Sequence, residues 1–485
     1  MPNIPKTMST QHPDNVNSPF FAESAEMGGS DEIQEAYYVF SHLGCTEQMW
    51  DCEGKEVDNF VVKKLLSKYE SYFKNKRLGK DLFLTLRVPN PDCEKAEAKI
   101  LLETLESIPR CFDAAKLFYG DDIAPIFEVI VPMVNSAQNI DRIYQYYIDF
   151  VAGKQNKFLK QNDITVAEWI GEFKPEKINV IPLFEDYDRM LSADSITKEF
   201  LSGKNFEYQR VFLARSDPAL NYGLISATLL NKIALQRLAK LEKEINVKIY
   251  PIVGVGSAPF RGNLRPQTVS RVLAEYPSVH TFTIQSSFKY DNNPEEVKKA
   301  IELIENREMK PPHEIDEQKC LEIIDRYSAA YQKQISELSD VINKVAKYIP
   351  SRRKRKLHIG LFGYSRSLQG IKLPRAITFT AALYSIGLPP EILGLNALSK
   401  HDFDYLKTVY INLENDIRDA LNFCNINSLF MPIGLKEKIK EFFPDFYCNQ
   451  EHLEISNLIV KGLYQGSNDL SENVLAAGNI RKFLG

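Results

Sequence analysis

Seven short apolar, β-branched runs punctuate the chain, each closing on a polar or glycine-rich turn. They are "DLFLTLRVPNP" (81–91), "IAPIFEVIVPM" (123–133), "INVIPLFEDYD" (178–188), "YQRVFLARSD" (208–217), "KIYPIVGVGSAPFRG" (248–262), "VHTFTIQSSF" (279–288) and "LHIGLFGYSRS" (357–367). Between them, stretches such as "CEKAEAKILLETLESI" (93–108) and "ISATLLNKIALQRLAKLEKEI" (225–245) set apolar residues at helical spacing against a charged face. Buried strands alternating with amphipathic helices predict a parallel sheet joined by crossovers. Side chains able to do chemistry stand at the C-terminal ends of these runs: Arg87, Glu185, Asp217, Arg261, Gln285 and Arg366. A (β/α)8 barrel gathers its site from many strand ends, whereas a doubly wound sheet uses one switch point. The expected fold is therefore an α/β (β/α)8 TIM-type barrel. A barrel takes roughly 250 residues, so additional α-helices are expected, at about 294–349 and 403–485. No linker or repeat divides the chain, which reads as one domain over residues 1–485.

Composition narrows the partners. A net charge of −4 lacks the basic footprint of a nucleic-acid binder. Seven cysteines without a CxxC pair point to a reducing, cytoplasmic setting. No run approaches the ~20 apolar residues of a membrane span, and no secretory signal is visible.

Glu185 and Asp217 end consecutive predicted strands, which in a barrel lie about 4.8 Å apart. Two carboxylates there suit one hard divalent cation, Mg²⁺ or Mn²⁺, with water and substrate oxygens completing its shell. The same residues would also serve as helix N-caps. Arg87, Arg261, Arg265, Arg366 and Arg375 fall in or near strand-end loops, and Gly254, Gly256 and Gly262 permit close backbone approach. Guanidinium forks bind phosphate and carboxylate bidentately, so the set suits a small, multiply anionic, phosphorylated substrate. "SRRKRK" (351–356) reads as a solvated helix end or loop. His12 stands alone among turn formers in "IPKTMSTQHPDNVNSPFF" (4–21), which reads as a strap across the barrel mouth. Hydrolase, NTPase and dinucleotide motifs are not found in convincing context.

Taken in order, these elements resemble the short archaeal type of phosphoenolpyruvate carboxylase. "TQHPDN" is similar to that family's "TAHPTE" and would make His12 catalytic. "MWDCEGKEVD" resembles a bicarbonate-site element and places Trp50 there, while "LTLRVPNP" gives Arg87 as a phosphate-binding arginine. "PLFED" and "ARSDPALNYG" imply Glu185 and Asp217 as metal ligands. "PFRGNLRP" carries Arg261 and Arg265, "TIQSSF" Gln285, and "GYSRSLQGIKLPRAI" Arg366 and Arg375, all as substrate-binding residues. "LAAGNIRKFLG" is close to the family ending, so the resemblance spans the chain. Phe260 and Leu220 replace a family histidine and lysine, and an aspartate or malate effector pocket is only partly traceable, through Arg366 and Asn479.

The resemblance implies carboxylation of phosphoenolpyruvate by bicarbonate to oxaloacetate and phosphate, through carboxyphosphate and a metal-stabilised enolate, in a homotetramer. His12, Arg87 and Arg261 would be its catalytic residues. A Mg²⁺-dependent barrel lyase or aldolase acting on 2-oxo acids, and a non-catalytic binding protein on the same barrel, remain alternatives at this stage.

Overall fold

A computed structural model describes residues 4–53, 58–95, 98–354, 370–467 and 469–485, and the backbone at 366–368. Eight parallel strands close a barrel in chain order: β1 (Thr7–Ser9), β2 (Glu47–Asp51), β3 (Phe83–Arg87), β4 (Glu128–Val131), β5 (Asn179–Phe184), β6 (Tyr208–Ala214), β7 (Lys248–Gly254) and β8 (Thr281–Ile284). β1 completes the ring by pairing with both β2 and β8. Six strands lie within apolar runs; β1 and β2 do not. The opening segment is therefore not wholly a strap, because Thr7–Ser9 belongs to the barrel wall. The seventh run also departs from expectation. Residues 357–365 lie outside the described set, and Arg366–Leu368 pairs antiparallel with Ile371–Leu373 in a separate hairpin.

Alternation along each strand sorts the side chains into two cores. Outward residues such as Leu84, Leu86, Val129, Val131, Val211 and Leu213 join the large core beneath the helices. Met8, Met49, Ile130, Ile181, Phe212 and Ile252 fill the middle of the barrel. Below them, at the N-terminal end, the interior is ionic. Arg210 donates to Glu47 (2.7 and 2.8 Å) and to Glu128 (2.9 Å), and all three are buried. Burial opposes the Arg210 charge, but the two carboxylates more than offset it and raise its pKa. Arg210→Met would leave two buried carboxylates uncompensated, which costs about 3–5 kcal/mol. Urea unfolding should show that loss; an unchanged midpoint would show the triad to be dispensable.

Helix Leu224–Ile245 packs against β6 and β7, and the 30-residue Glu317–Ala346 packs on that helix in turn. Among the described residues no single helix is long and apolar enough to cross a membrane. One bent pair, Ala376–Ser385 with Pro390–Ala397, has the composition but turns through 94°. Most of its apolar side chains are buried in the fold.

Candidate active site

All eight strands run the same way, so their C-terminal ends share one rim, and a cavity of about 760 Å³ opens there. Met49, Leu183 and Phe212 form its floor, and His12, Arg87, Glu185, Asp217, Arg261, Gln285 and Arg375 line its walls. His12 reaches the rim because it follows β1. Thr10 N donates to Ile284 O (3.0 Å), prolonging the β1–β8 pairing by one residue. The fully buried Thr10 hydroxyl lies 2.9 Å from His12 Nδ1. A hydroxyl at Nδ1 fixes the ring plane and directs Nε2 away from Thr10. Thr10→Val should lower turnover roughly fivefold, the worth of one neutral hydrogen bond of about 1 kcal/mol. Thr10→Ser should retain it, as comparison of the two kcat values will test.

Arg261 is held on every side. Its Nε donates to Ser216 Oγ (3.1 Å), Nη1 to Asp14 Oδ2 (3.2 Å) and Gly485 O (2.8 Å), and Nη2 to Gln285 Oε1 (2.6 Å). Burial pushes the Arg261 pKa down and the Asp14 pKa up, and their ion pair pulls both back. Asp14 also accepts from Ser287 N (2.7 Å), so the segment after β1, the Arg261 loop and the start of helix Ser286–Tyr290 share one carboxylate. Gly256 is required for this packing. A Cβ there would sit 2.8 Å from Arg261 Nη1 and 3.0 Å from Gln285 Oε1.

From behind, Glu391 Oε1 accepts from Phe260 N (2.6 Å) and Tyr384 OH (2.7 Å), anchoring the same loop. Burial pushes the Glu391 pKa up to about 7. Between the usual glutamate pKa and 7 the unfolded chain loses this proton while the fold keeps it, so stability falls as pH rises through that window. Glu391→Gln keeps an acceptor but removes the titration. It should flatten the decline between about pH 4.5 and 7 by about 3 kcal/mol, read from denaturant midpoints across pH; a slope identical to wild type would contradict this assignment.

On the opposite wall Arg87 lies in register with Asp51. Its Nε and Nη2 donate to the two Asp51 oxygens (3.0 and 3.1 Å), and Nη2 lies 2.6 Å from Glu53 Oε2. Burial disfavours the Arg87 charge, but Asp51 and Glu53 outweigh it and raise the pKa. Arg375 Nη2 stands 4.0 Å from the other Glu53 oxygen. Behind Glu53, the Glu94 carboxyl is pushed up to about 8, by burial first and then by the Glu53 charge.

Glu185 follows β5 directly, and its Oε2 accepts from Met133 N (2.7 Å), fixing the carboxylate at the rim. Asp217 stands in the first turn of helix Ser216–Tyr222, just after β6. Both line the cavity, and β5 and β6 are hydrogen-bonded neighbours through Phe184 and Leu213. Two hard oxygen ligands fit Mg²⁺ or Mn²⁺, which takes one or two carboxylates and keeps several waters. Among the described residues no group of three or more His, Cys, Asp or Glu side chains forms a metal site. The donor set suits a cation that leaves coordination positions open.

Residues 4–485 match the family model described as phosphoenolpyruvate carboxylase. The chain belongs to the phosphoenolpyruvate carboxylase family. A curated phosphoenolpyruvate carboxylase from Methanospirillum hungatei is 59% identical over 486 residues, covering 99% of this chain and 100% of that protein. One from Methanothermobacter thermautotrophicus is 58% identical over 485 residues, with the same shares covered. One from Metallosphaera sedula is 43% identical over 507 residues, covering 99% of both. Among solved structures, an HpcH/HpaI aldolase from Desulfitobacterium hafniense overlaps loosely, with TM-score 0.33 and 13% identity over 63% of this chain and 95% of that one.

Not every residue that the phosphoenolpyruvate carboxylase resemblance nominated reaches the cavity. Trp50 is 1% exposed and packs in the outer core, because alternation along β2 turns Met49 and Asp51 inward and Trp50 outward. Arg265 lies beyond the turn at Gly262 and Asn263, both at positive φ, and pairs with Asp419 (3.2 Å) on the helical side. The Arg366 side chain lies outside the described residues. Asn479 is exposed on helix Ser471–Arg481, away from the cavity. Phe260 and Leu220 are fully buried and do not line it. The run at 351–356 is not simply a solvated end. Arg352 and Arg353 are buried beside the cavity, Arg352 donating to Asn15 O (3.2 Å) and Arg353 to Glu35 (2.7 and 2.8 Å). Asp14, Asp51 and Glu53, which hold Arg261 and Arg87, were not singled out from sequence. Their signal was an acid close behind His12 and an acid pair at the end of "MWDCE".

Proposed function

We propose that this chain carboxylates phosphoenolpyruvate with bicarbonate in the cavity at the barrel mouth, releasing oxaloacetate and inorganic phosphate. One observation carries the reading. In a chain of this family, His12, Arg87, Arg261 and Arg375 converge on the cavity that holds Glu185 and Asp217.

In this reading a bicarbonate oxygen attacks phosphorus and the P–O bond to the enol oxygen breaks, leaving carboxyphosphate and pyruvate enolate. The C–O bond to phosphate then breaks, and the enolate carbon attacks the CO₂ released. Arg87 and Arg261, locked by Asp51, Glu53, Asp14 and Gln285, hold the phosphoryl oxygens without reorganising, the condition under which electrostatic stabilisation is strongest. Arg375, on the rim, meets the remaining anionic charge. His12, oriented by Thr10, takes the bicarbonate proton and returns it to the departing phosphate. The apolar floor of Met49, Leu183 and Phe212 keeps water from the enolate, whose protonation would yield pyruvate. Glu185 and Asp217 would hold a divalent cation, which would supply Lewis-acid stabilisation of developing enolate charge. Mg²⁺ or Mn²⁺ fits this role, and the working unit is proposed to be a homotetramer.

The test supplies phosphoenolpyruvate, bicarbonate and Mg²⁺ to the purified chain. Oxaloacetate and phosphate should appear one to one. Phosphate without oxaloacetate, or turnover of 2-oxo acids in place of phosphoenolpyruvate, would overturn the reading.

A further inference from the structure

At the rim, β6 and β7 stop pairing at Ala214 and Gly254, yet side chains carry the connection further. Arg261 Nε donates to Ser216 Oγ (3.1 Å), and one residue earlier on each segment Arg215 Nη1 donates to Phe260 O (3.3 Å). The proposed chemistry gives Arg215 no part, although it lines the cavity and is 1% exposed. Its Nη2 donates to Thr228 Oγ1 (2.7 Å) and Leu224 O (3.3 Å). Both belong to helix Leu224–Ile245, which is buried without a break from Leu224 to Leu235. One guanidinium thus joins the residue before Ser216 and Asp217, the loop that presents Arg261, and a rigid helix behind them.

Phe260 shows what this link does. Pro259–Arg261 is a single tight turn closing at Gly262, whose φ is 115°. Gly262 N donates to Pro259 O (3.1 Å), Asn263 N to Ala258 O (3.0 Å) and Leu264 N to Gly256 O (2.9 Å). Phe260 O takes the Arg215 guanidinium, and Phe260 N donates to Glu391 Oε1 (2.6 Å). Both backbone groups before Arg261 are therefore tied from outside their own turn. A neutral donor would satisfy one buried carbonyl, so the charge calls for another reason. The buried arginines Arg87, Arg210, Arg261 and Arg353 each pair with an acid. Arg215 has no such ion pair among the described residues, and its acceptors are two carbonyls and a hydroxyl. Burying a cation on neutral acceptors is costly. What the guanidinium adds is its planar fork, which reaches acceptors on two elements at once and fixes them relative to each other.

We propose that Arg215 is a positioning residue for Arg261: it bolts the Phe260–Arg261 turn to helix Leu224–Ile245 and to the strand end that carries Asp217. This rests on the carboxylation reading, in which Arg261 holds the phosphoryl group. In the test, phosphoenolpyruvate is titrated calorimetrically into the Mg²⁺-loaded full chain without bicarbonate, and oxaloacetate formation is measured separately. Circular dichroism confirms the fold of each variant. Arg215→Met should weaken phosphoenolpyruvate binding about tenfold and lower kcat/KM about thirtyfold, since small misplacements of a binding group are costly. Combined with Arg261→Lys, it should remove less than about a further threefold, because the fork it positions is already lost. Thr228→Val removes one anchor of the guanidinium and should lower kcat/KM about threefold, and Thr228→Ser should restore it. That pair decides the matter if Arg215→Met does not fold. Wild-type kcat/KM in Arg215→Met or in Thr228→Val would overturn the proposal. So would losses in Arg215→Met and Arg261→Lys that multiply. In each case, oxaloacetate formed by the wild type would leave the carboxylation reading standing. A wild type that forms none would overturn that reading and this proposal with it.

Discussion

Glu185→Gln and Asp217→Asn are each expected to reduce oxaloacetate formation by about a thousandfold, with the fold intact. The amide introduced by Glu185→Gln would keep an oxygen for Met133 N, so the hydrogen bond that fixes the side chain survives and only the charge is lost. The Asp217→Asn change falls in the first helical turn, where losing a negative charge costs roughly 0.3–1 kcal/mol in the helix dipole. Neither change is a packing defect. Lewis-acid stabilisation worth several kcal/mol would go with the carboxylate, and about 4 kcal/mol is a factor of a thousand in rate. Mn²⁺ titration by electron paramagnetic resonance supplies the independent reading. Affinity should drop in both variants, and unchanged Mn²⁺ binding would separate these residues from the metal.

Arg261→Lys should lower kcat/KM for phosphoenolpyruvate by about a hundredfold to a thousandfold, the range for removing one preorganised donor from the developing charge. Four hydrogen bonds run from Arg261 to Ser216, Asp14, Gly485 and Gln285. An ammonium with three donors on a flexible stem cannot reproduce that fork. Asp14 would keep its burial while its counter-charge is held less closely, so its pKa should climb further. The stability lost on ionising the buried Asp14 as pH rises would grow accordingly. Arg265→Lys is the matched control. Arg265 faces Asp419, not the cavity, so kcat/KM should stay within about twofold, as a partly exposed ion pair is worth only ~0–1 kcal/mol. Equal losses in the two variants would mean that the substrate reaches both arginines, contrary to this geometry.

The barrel was legible wherever strands are apolar on both faces. β3 to β8 lie between a helical layer and a filled interior, and their runs announce them. β1 and β2 escaped because their inward or flanking positions carry function instead of oil. β1 is three residues long, and β2 reads Glu-Gln-Met-Trp-Asp, with Glu47 in the ionic layer and Asp51 on Arg87. His12 could be nominated from sequence, but its reason could not: it looked like part of a strap, and it stands at the end of a barrel strand. The strand-end residues Arg87, Glu185, Asp217, Arg261 and Gln285 all reach the rim, since the end of a parallel strand dictates their position. Trp50 and Arg265 failed on finer rules. One residue of phase turned Trp50 outward, and a turn with two left-handed residues carried Arg265 away. Buried partners such as Asp14 and Glu391 come from distant parts of the chain, and local pattern does not record such meetings.

Bicarbonate labelled with ¹³C and ¹⁸O follows both the bond that carboxylation makes and the bond it breaks. Oxaloacetate should carry ¹³C in its new carboxylate, and each phosphate released should carry one ¹⁸O, because the oxygen that attacks phosphorus stays on it when the C–O bond breaks. Phosphate without ¹⁸O, or oxaloacetate without ¹³C, would contradict carboxylation through carboxyphosphate at this site.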